Sequence, residues 1–153
     1  LALEHMEVGL AVVEHLDGNR GAHVPDERGG GVDHESPRLL GHHVQRLTGA
    51  EAEVRRAQQR DPARANQYSV ALELQADCYA GVWASSAQSR GLLEVGDVEE
   101  GLGAAAAVGD DRIQRMGGGY VNPDAFTHGS AADRTAWFTR GLESGDPGSC
   151  EMP

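Results

Sequence analysis

One segment of this chain is apolar or small on nearly every side, and the other segments are arranged before and after it. It runs from Leu72 to Trp83 inside a longer helical pattern of about 63–87. An apolar run of this length is typical of a buried helix rather than a strand. Helical spacing or composition also predicts helices over 37–47, 50–60 and 98–108, and a last helix after Ser130.

Cap and turn residues predict where several helices begin and end. Asp97 with Glu100 three residues later forms a capping-box pattern, and Gly109 is the expected left-handed glycine at the end of that helix. Ser130 is the expected N-cap of the last helix. After it, the Gly-Asp-Pro-Gly string at 145–148 is expected to end the ordered chain.

The first helix carries a short apolar face. Leu40, Val44 and Leu47 share that face at i, i+4 and i+7, and Thr48 with Gly49 is expected to loosen or end the helix. Residues 1–36 are harder to interpret. Residues 6–14 weakly favour a strand, and the polar stretch around the three glycines at 29–31 predicts a mobile loop rather than a phosphate-binding loop.

Composition narrows the range of partners. The 153 residues suffice for one domain with a core. The net charge of -11, with 13 basic residues that are all arginine, argues against nucleic acid and against anionic membrane surfaces as partners. No apolar run is long enough to span a bilayer. Cys78 and Cys150 can form a disulfide, although two cysteines are too few for a disulfide scaffold.

Two carboxylates inside the apolar segment need an explanation. Glu73 and Asp77 lie four residues apart, on one face of the predicted helix. Burying a carboxylate is costly unless it is paired, hydrogen-bonded or bound to a metal. No arginine lies between Arg64 and Arg90 to pair with them locally. One explanation is that both carboxylates are half-exposed or paired with a distant arginine. The other is that one carboxylate binds a metal ion and the other contacts a residue that binds the same ion.

Three features together favour a metal site. Two adjacent histidines lie on the first helix, the carboxylate pair lies on the buried helix, and His128 precedes the last helix. A zinc-peptidase site uses two helical histidines one turn apart, a carboxylate base beside the first, and a third ligand from a later helix. An aspartate one turn after that third ligand can hydrogen-bond a ligand histidine and fix its tautomer.

Linked motifs then suggest a family. They are LELQADCYAGVWA at 72–84, GDVEE at 96–100, AAAAVGDDR at 104–112, PDAFTHGS at 123–130, RTAWF at 134–138, and GDP at 145–147 followed by Cys150. In this order they closely resemble the bacterial putative neutral zinc metallopeptidases. The resemblance covers about Gly41 to Cys150, and we find none upstream of Ser36.

The resemblance implies a mainly α, zincin-like fold over 37–150, with any strands confined to an irregular or mis-specified segment at 1–36. It implies a zinc-dependent peptidase acting on peptide or protein substrates. His42 would be the second histidine ligand and Glu73 the third ligand. Asp77 would orient a ligand histidine, and His128 would bind the oxyanion of the tetrahedral intermediate. Family members often carry an N-terminal membrane anchor, and this chain shows none.

The chain departs from the family pattern just before Gly41. The family has His-Glu-x-Gly-His-His-Val-Gln, and this chain has Arg38 and Leu39 at the positions of the histidine ligand and the catalytic glutamate. The His-Glu pair at 34–35 is four residues too early, and Pro37 interrupts a helix from there. Zinc is therefore expected to be weak or absent in this chain, with little turnover.

Two origins of this mismatch are open: an error in the upstream coding sequence, which the abrupt change favours, and a degenerate copy that has lost its chemistry. Two other functions are also open. One is a non-catalytic helical pseudo-peptidase or binding module, and the other is a structural helical domain without a metal.

Overall fold

The computed structural model describes residues 36–152, with side chains from Leu39 onward. The strand and loop predicted within residues 1–35 lie outside the described residues. Six α-helices make up most of the described part. They are α1 Ser36–Thr48, α2 Ala50–Arg60, α3 Ala65–Ser89, α4 Asp97–Ala107, α5 Asp110–Met116 and α6 Ala131–Ser144. Residues 36–152 contain no strand, which confirms the mainly α prediction for this part of the chain.

Helix α3 is the centre of the domain, as the apolar segment predicted. It packs against α1, α2 and α6, so several of its faces are covered. Its buried positions are Leu74, Gln75, Ala76, Asp77, Cys78, Ala80, Gly81, Val82, Ala84 and Ala87. Most of these side chains are small, so the neighbouring helices can approach closely. This is how a chain with 5% aromatic residues builds a core.

Glycines allow the closest of these approaches. A Cβ at Gly41 of α1 would overlap the backbone of Ala76, and one at Gly81 of α3 would overlap the carbonyl of Phe138. In the other direction, a Cβ at Gly141 of α6 would overlap the carbonyl of Cys78. The packing of α3 with α1 and α6 therefore depends on the missing side chains.

The buried face of α1 differs from the predicted one. Leu47 is 67% exposed, so the apolar stripe that it shares with Leu40 and Val44 is not the face that packs. Gly41 and Gln45 are buried instead, and Gln45 is 1% exposed. The small residue permits close contact with α3, and the glutamine finds hydrogen-bond partners there. Periodicity of apolar residues alone could not reveal a polar buried face.

The ends of α4 lie within one residue of the prediction, but its predicted caps were wrong. The helix begins at Asp97, and its N-cap is Gly96 with φ 106° and no side-chain cap. The Asp97 carboxylate accepts instead from the backbone N–H of Glu94 at 2.8 Å. Gly109 is extended, with φ -66°, rather than left-handed. A Cβ there would overlap Ala131, so this glycine is required by packing.

The C-terminal segment is held rather than loose. Pro147–Cys150 forms a 3-10 turn, and Cys150 is fully buried and disulfide-bonded to Cys78. The prediction that order ends at Gly145–Gly148 was therefore wrong. A bond that closes a loop of 72 residues removes conformations from the unfolded chain and contributes about 4 kcal/mol to stability.

Other boundaries follow the prediction. Gly49 ends α1 with φ 81°. Ser130 caps α6, because its Oγ accepts from the backbone N–H of Asp133 at 3.1 Å. No helix in residues 36–152 combines the length and apolar character that crossing a bilayer requires.

Candidate metal and catalytic site

The packing of α1 on α3 brings two predicted zinc ligands together. Nε2 of His42 lies 3.7 Å from Oε1 of Glu73. The side chains are partly exposed, at 29% for the histidine and 17% for the glutamate. Zinc bonds of about 2.0–2.2 Å in a tetrahedral site place donor atoms about 3–4 Å apart. The spacing of this pair is therefore compatible with two ligands of one ion.

The other ring nitrogen of His42 is also engaged. Nδ1 lies 3.0 Å from Oε1 of Gln45, one turn further along α1. The Gln45 amide nitrogen donates to the carbonyl of Leu72 and to Oε1 of Gln75, so this buried glutamine ties His42 to α3. The neighbouring His43 is exposed, and its Nδ1 faces the carbonyl of Leu39 instead.

Asp77 is paired with an arginine that is far away in sequence. Nη2 of Arg134, on α6, donates to Oδ1 of Asp77 at 2.8 Å, and the arginine side chain is fully buried. Nη1 of the same guanidinium lies 3.9 Å from Oε2 of Glu73. The alternative of a distant arginine therefore holds for Asp77, while Glu73 lies between Arg134 and His42. The predicted contact of Asp77 with a ligand histidine stays a prediction.

His128 is held by a carboxylate that the sequence analysis had not selected. Oδ1 of Asp110 lies 3.1 Å from Nδ1 of His128. Oδ2 of Asp110 accepts the backbone N–H groups of Thr127 and His128, each at 2.7 Å, and that of Gly129 at 3.2 Å. One carboxylate thus fixes both the loop backbone and the imidazole ring.

These hydrogen bonds change the acidity of Asp110. Burial alone would raise the pKa of this carboxyl group. The N–H bonds from the His128 and Thr127 backbones, together with the His128 ring, favour the charged form and outweigh burial, so the pKa of Asp110 lies below its ordinary value. Asp110 is therefore a carboxylate at neutral pH, and it accepts rather than donates.

The same loop lies against the part of α3 that carries Glu73. The position of a Cβ on Gly129, whose φ is 93°, would lie 3.3 Å from side-chain atoms of both Val70 and Leu74. These two residues flank Glu73 on its helix. The side chain of His128 is 43% exposed, so the ring remains accessible from solvent.

The described residues fit a zinc ion only in part. His42 and Glu73 are donors of the right type at the right spacing. Within the part of the chain that the structure describes, no group of three or more His, Cys, Asp or Glu side chains could hold a metal ion. Position 38, where the motif resemblance implies a further histidine ligand, is Arg38. Two protein ligands are too few for a tight zinc site.

Sequence reasoning missed four residues around this site. Asp110, Arg134, Gln45 and Gln75 all contact predicted site residues or their partners. Asp110 and Arg134 did fall inside the family motifs at 104–112 and 134–138, but their roles depend on contacts across 18 and 57 residues of sequence. The available signal was that each is a charged residue inside a motif that carries the family resemblance.

Comparison with known proteins places the chain in a family. The model of the family described as putative neutral zinc metallopeptidase matches residues 28–152. The chain is 47% identical over 144 residues to YpfJ, an uncharacterized protein of Escherichia coli, and the alignment covers 94% of this chain and 49% of YpfJ. This chain belongs to the putative neutral zinc metallopeptidase family.

The chain is also similar to proteins of other bacteria. Uncharacterized proteins of Mycobacterium bovis and Mycobacterium tuberculosis are 50% identical to it over an alignment of 106 residues, and the alignment covers 63% of this chain and 36% of theirs. The chain spans about half the length of YpfJ and a smaller share of the mycobacterial proteins. No solved structure matches it.

The match reaches further upstream than the motifs indicated. The family model begins at residue 28, and the YpfJ alignment covers 94% of the chain. The prediction that the family resemblance does not extend upstream of Ser36 was therefore wrong. The departure at Arg38 and Leu39 then lies inside a matching region rather than at its edge.

Proposed function

We propose that this chain is a zinc-peptidase domain for peptide or protein substrates, in which part of the metal site and the catalytic base are replaced. The observation that carries the proposal is the 3.7 Å approach of His42 Nε2, on α1, to Glu73 Oε1, on α3. Membership of a metallopeptidase family supports the interpretation of this pair as metal ligands.

The metal would supply Lewis-acid chemistry, polarising the substrate carbonyl and acidifying a water molecule. The residues of this chain would do the rest. His42 and Glu73 would hold the ion, and the buried Arg134 would keep the glutamate and Asp77 in place. Leu39, at the position of the family's glutamate, cannot accept a proton, so the chain as written should turn over little substrate.

His128 would contribute to the transition state. Asp110 occupies its Nδ1, so Nε2 is the nitrogen left for a substrate. When the ring is protonated, both nitrogens donate, and Nε2 can donate to the developing oxyanion. Donors of this kind contribute on the order of 3–4 kcal/mol to transition-state stabilisation.

Activity in a restored variant tests the proposal. The double substitution Arg38→His, Leu39→Glu should create chelator-sensitive hydrolysis of an unfolded protein substrate, which the unmodified chain lacks. In that background, His128→Gln should lower kcat by about 10²–10³-fold without loss of zinc. His43→Gln, the exposed neighbour of the ligand histidine, is the matched control and should have no effect.

A second function has its own supporting observation. Arg134 compensates the charge of Asp77 and approaches Glu73 from inside the core, so the carboxylates have a cation without any metal. This favours a helical pseudo-peptidase or binding module. A restored variant that binds zinc but hydrolyses nothing would support this alternative.

A further inference from the structure

A continuous row of hydrogen bonds connects the C-terminal segment to His42. The Gln75 amide nitrogen donates to the backbone carbonyl of Cys150 at 3.1 Å. The Gln45 amide nitrogen donates to Oε1 of Gln75 at 3.0 Å, and Oε1 of Gln45 lies 3.0 Å from Nδ1 of His42. Both glutamines are buried, at 1% and 5% exposure for Gln45 and Gln75.

The direction of this row is fixed by its backbone ends. A peptide carbonyl can only accept, so Gln75 must turn its NH₂ toward Cys150 and its oxygen toward Gln45. Gln45 must then present its NH₂ to Gln75. The carbonyl of Leu72, which also can only accept, requires the same orientation through a contact of 2.6 Å. Neither amide can flip without facing two acceptors toward each other.

The orientation of Gln45 decides which nitrogen of His42 carries the proton. Its oxygen faces Nδ1, so Nδ1 must be the donor. In the neutral ring the lone pair is then on Nε2, which is the nitrogen that faces Glu73. The 3.7 Å separation of Nε2 from Oε1 of Glu73 is longer than a hydrogen bond, which agrees with the absence of a proton between them.

Cys150 is a firm anchor for this arrangement. Its disulfide to Cys78 fixes it to α3, three residues after Gln75 on the same helix. The carbonyl at one end and the glutamine that it orients are therefore held by one helix, and the carbonyl of Leu72 at the Gln45 branch belongs to that helix as well.

We propose that Gln45 and Gln75 are positioning residues that hold His42 in its Nδ1–H tautomer and direct the Nε2 lone pair toward Glu73. A histidine that is a metal ligand needs that lone pair, and the hydrogen bond at its other nitrogen sets its orientation. The significance for metal binding rests on the proposed function, but the tautomer itself does not depend on a metal.

The nitrogen NMR spectrum of the histidine rings tests this directly, in metal-free protein carrying isotopically labelled histidine, at a pH high enough that the rings are neutral. Protonated and unprotonated ring nitrogens have well-separated shifts, and the signals of His42 are assigned by their loss in His42→Asn. The unmodified chain should show the proton on Nδ1. Gln45→Met should shift the tautomer ratio toward Nε2–H by about fivefold or more, which corresponds to the loss of one net hydrogen bond. Gln75→Met should shift the ratio in the same direction by a smaller factor, because the Leu72 carbonyl still orients Gln45.

Gln58→Met is the matched control. Gln58, on α2, is a partly buried glutamine that donates to the backbone carbonyl of Ala65 and to Oγ of Ser69 in the first turns of α3, outside this row. It should leave the His42 tautomer unchanged. A neutral His42 with its proton on Nε2 in the unmodified chain would overturn the proposal, even where a variant fails to fold. A folded Gln45→Met variant with the original tautomer ratio would also overturn it, and an unchanged ratio in folded Gln75→Met would overturn the role of Gln75.

This outcome is independent of the zinc-peptidase proposal. The spectrum is recorded without metal, so the row of amides can be verified in a chain that never binds zinc. Conversely, a restored variant can bind zinc and hydrolyse substrate while the tautomer is set by something else. The two proposals therefore fail in different measurements.

Discussion

The guanidinium of Arg134 donates to Asp77 at 2.8 Å, and the arginine side chain has no exposed surface. Arg134 therefore places a buried positive charge next to the carboxylate pair of α3. Removing one partner of a buried ion pair leaves an uncompensated charge, which costs about 3–5 kcal/mol. Arg134→Met should lower the free energy of unfolding by about this amount, measured by urea denaturation.

Arg140 on the same helix provides the control for Arg134. It is exposed and lies over the ring of Trp137, a contact worth about 0.5–1 kcal/mol. Arg140→Met should therefore cost no more than this. Equal losses for the two arginines would mean that the buried pair has no special role in stability.

The stability of the domain should also be sensitive to a single methyl group added at the contact between α1 and α3. Gly41→Ala would place its Cβ on the backbone of Ala76, and overpacking of this kind costs about 1–3 kcal/mol. Gly103 on α4 has no neighbour near its Cβ position, so Gly103→Ala should be neutral or stabilise by up to about 1 kcal/mol. Thermal unfolding of both variants measures the difference.

If Gly41→Ala is as stable as Gly103→Ala, the close approach of the two helices is not required. That result would also count against the candidate metal site, because the close approach of α1 and α3 sets the distance between His42 and Glu73.

The sequence predicted the helices well because local signals define them. The apolar segment at 72–83, the Gly49 break and the Ser130 cap all act within a few residues, and each was found in the structure. Gly109 shows the limit of local reasoning. A glycine after an alanine-rich helix is typical of a left-handed cap, but this one is extended because Ala131 occupies the space of a side chain.

The candidate site was predictable only in its donors. The family resemblance implied His42 and Glu73 as ligands, and the structure brings them within 3.7 Å. The residues that position these donors could not be predicted. Gln45, Gln75 and Arg134 act through contacts between helices, and local sequence patterns do not reveal such contacts. The face of α1 that packs is polar and small, so the apolar pattern pointed to the wrong side.

The Asp110–His128 contact predicts a pH dependence of stability. The pKa of Asp110 is lowered in the folded chain, so its carboxylate contributes stability that is fully present above its unfolded pKa and is lost as the pH falls through the folded value. Asp110→Asn should lower the free energy of unfolding by about 1–3 kcal/mol at about pH 7, and the difference from the unmodified chain should shrink below about pH 4.

Asp124→Asn, at an exposed position in the turn before this loop, is the matched control and should change neither quantity. Urea denaturation across the acid range gives both. A constant difference between the Asp110 variant and the unmodified chain at every pH would show that the carboxylate charge is not what holds the loop.

Zinc binding tests the central claim most directly. The unmodified chain has two protein donors, so it should take up zinc weakly and lose it on dialysis. The Arg38→His, Leu39→Glu variant should retain about one zinc per chain, and His42→Ala or Glu73→Gln in that background should abolish this retention. Metal analysis after dialysis and calorimetric titration measure both properties. One tightly held zinc in the unmodified chain, or none in the restored variant, would contradict the account.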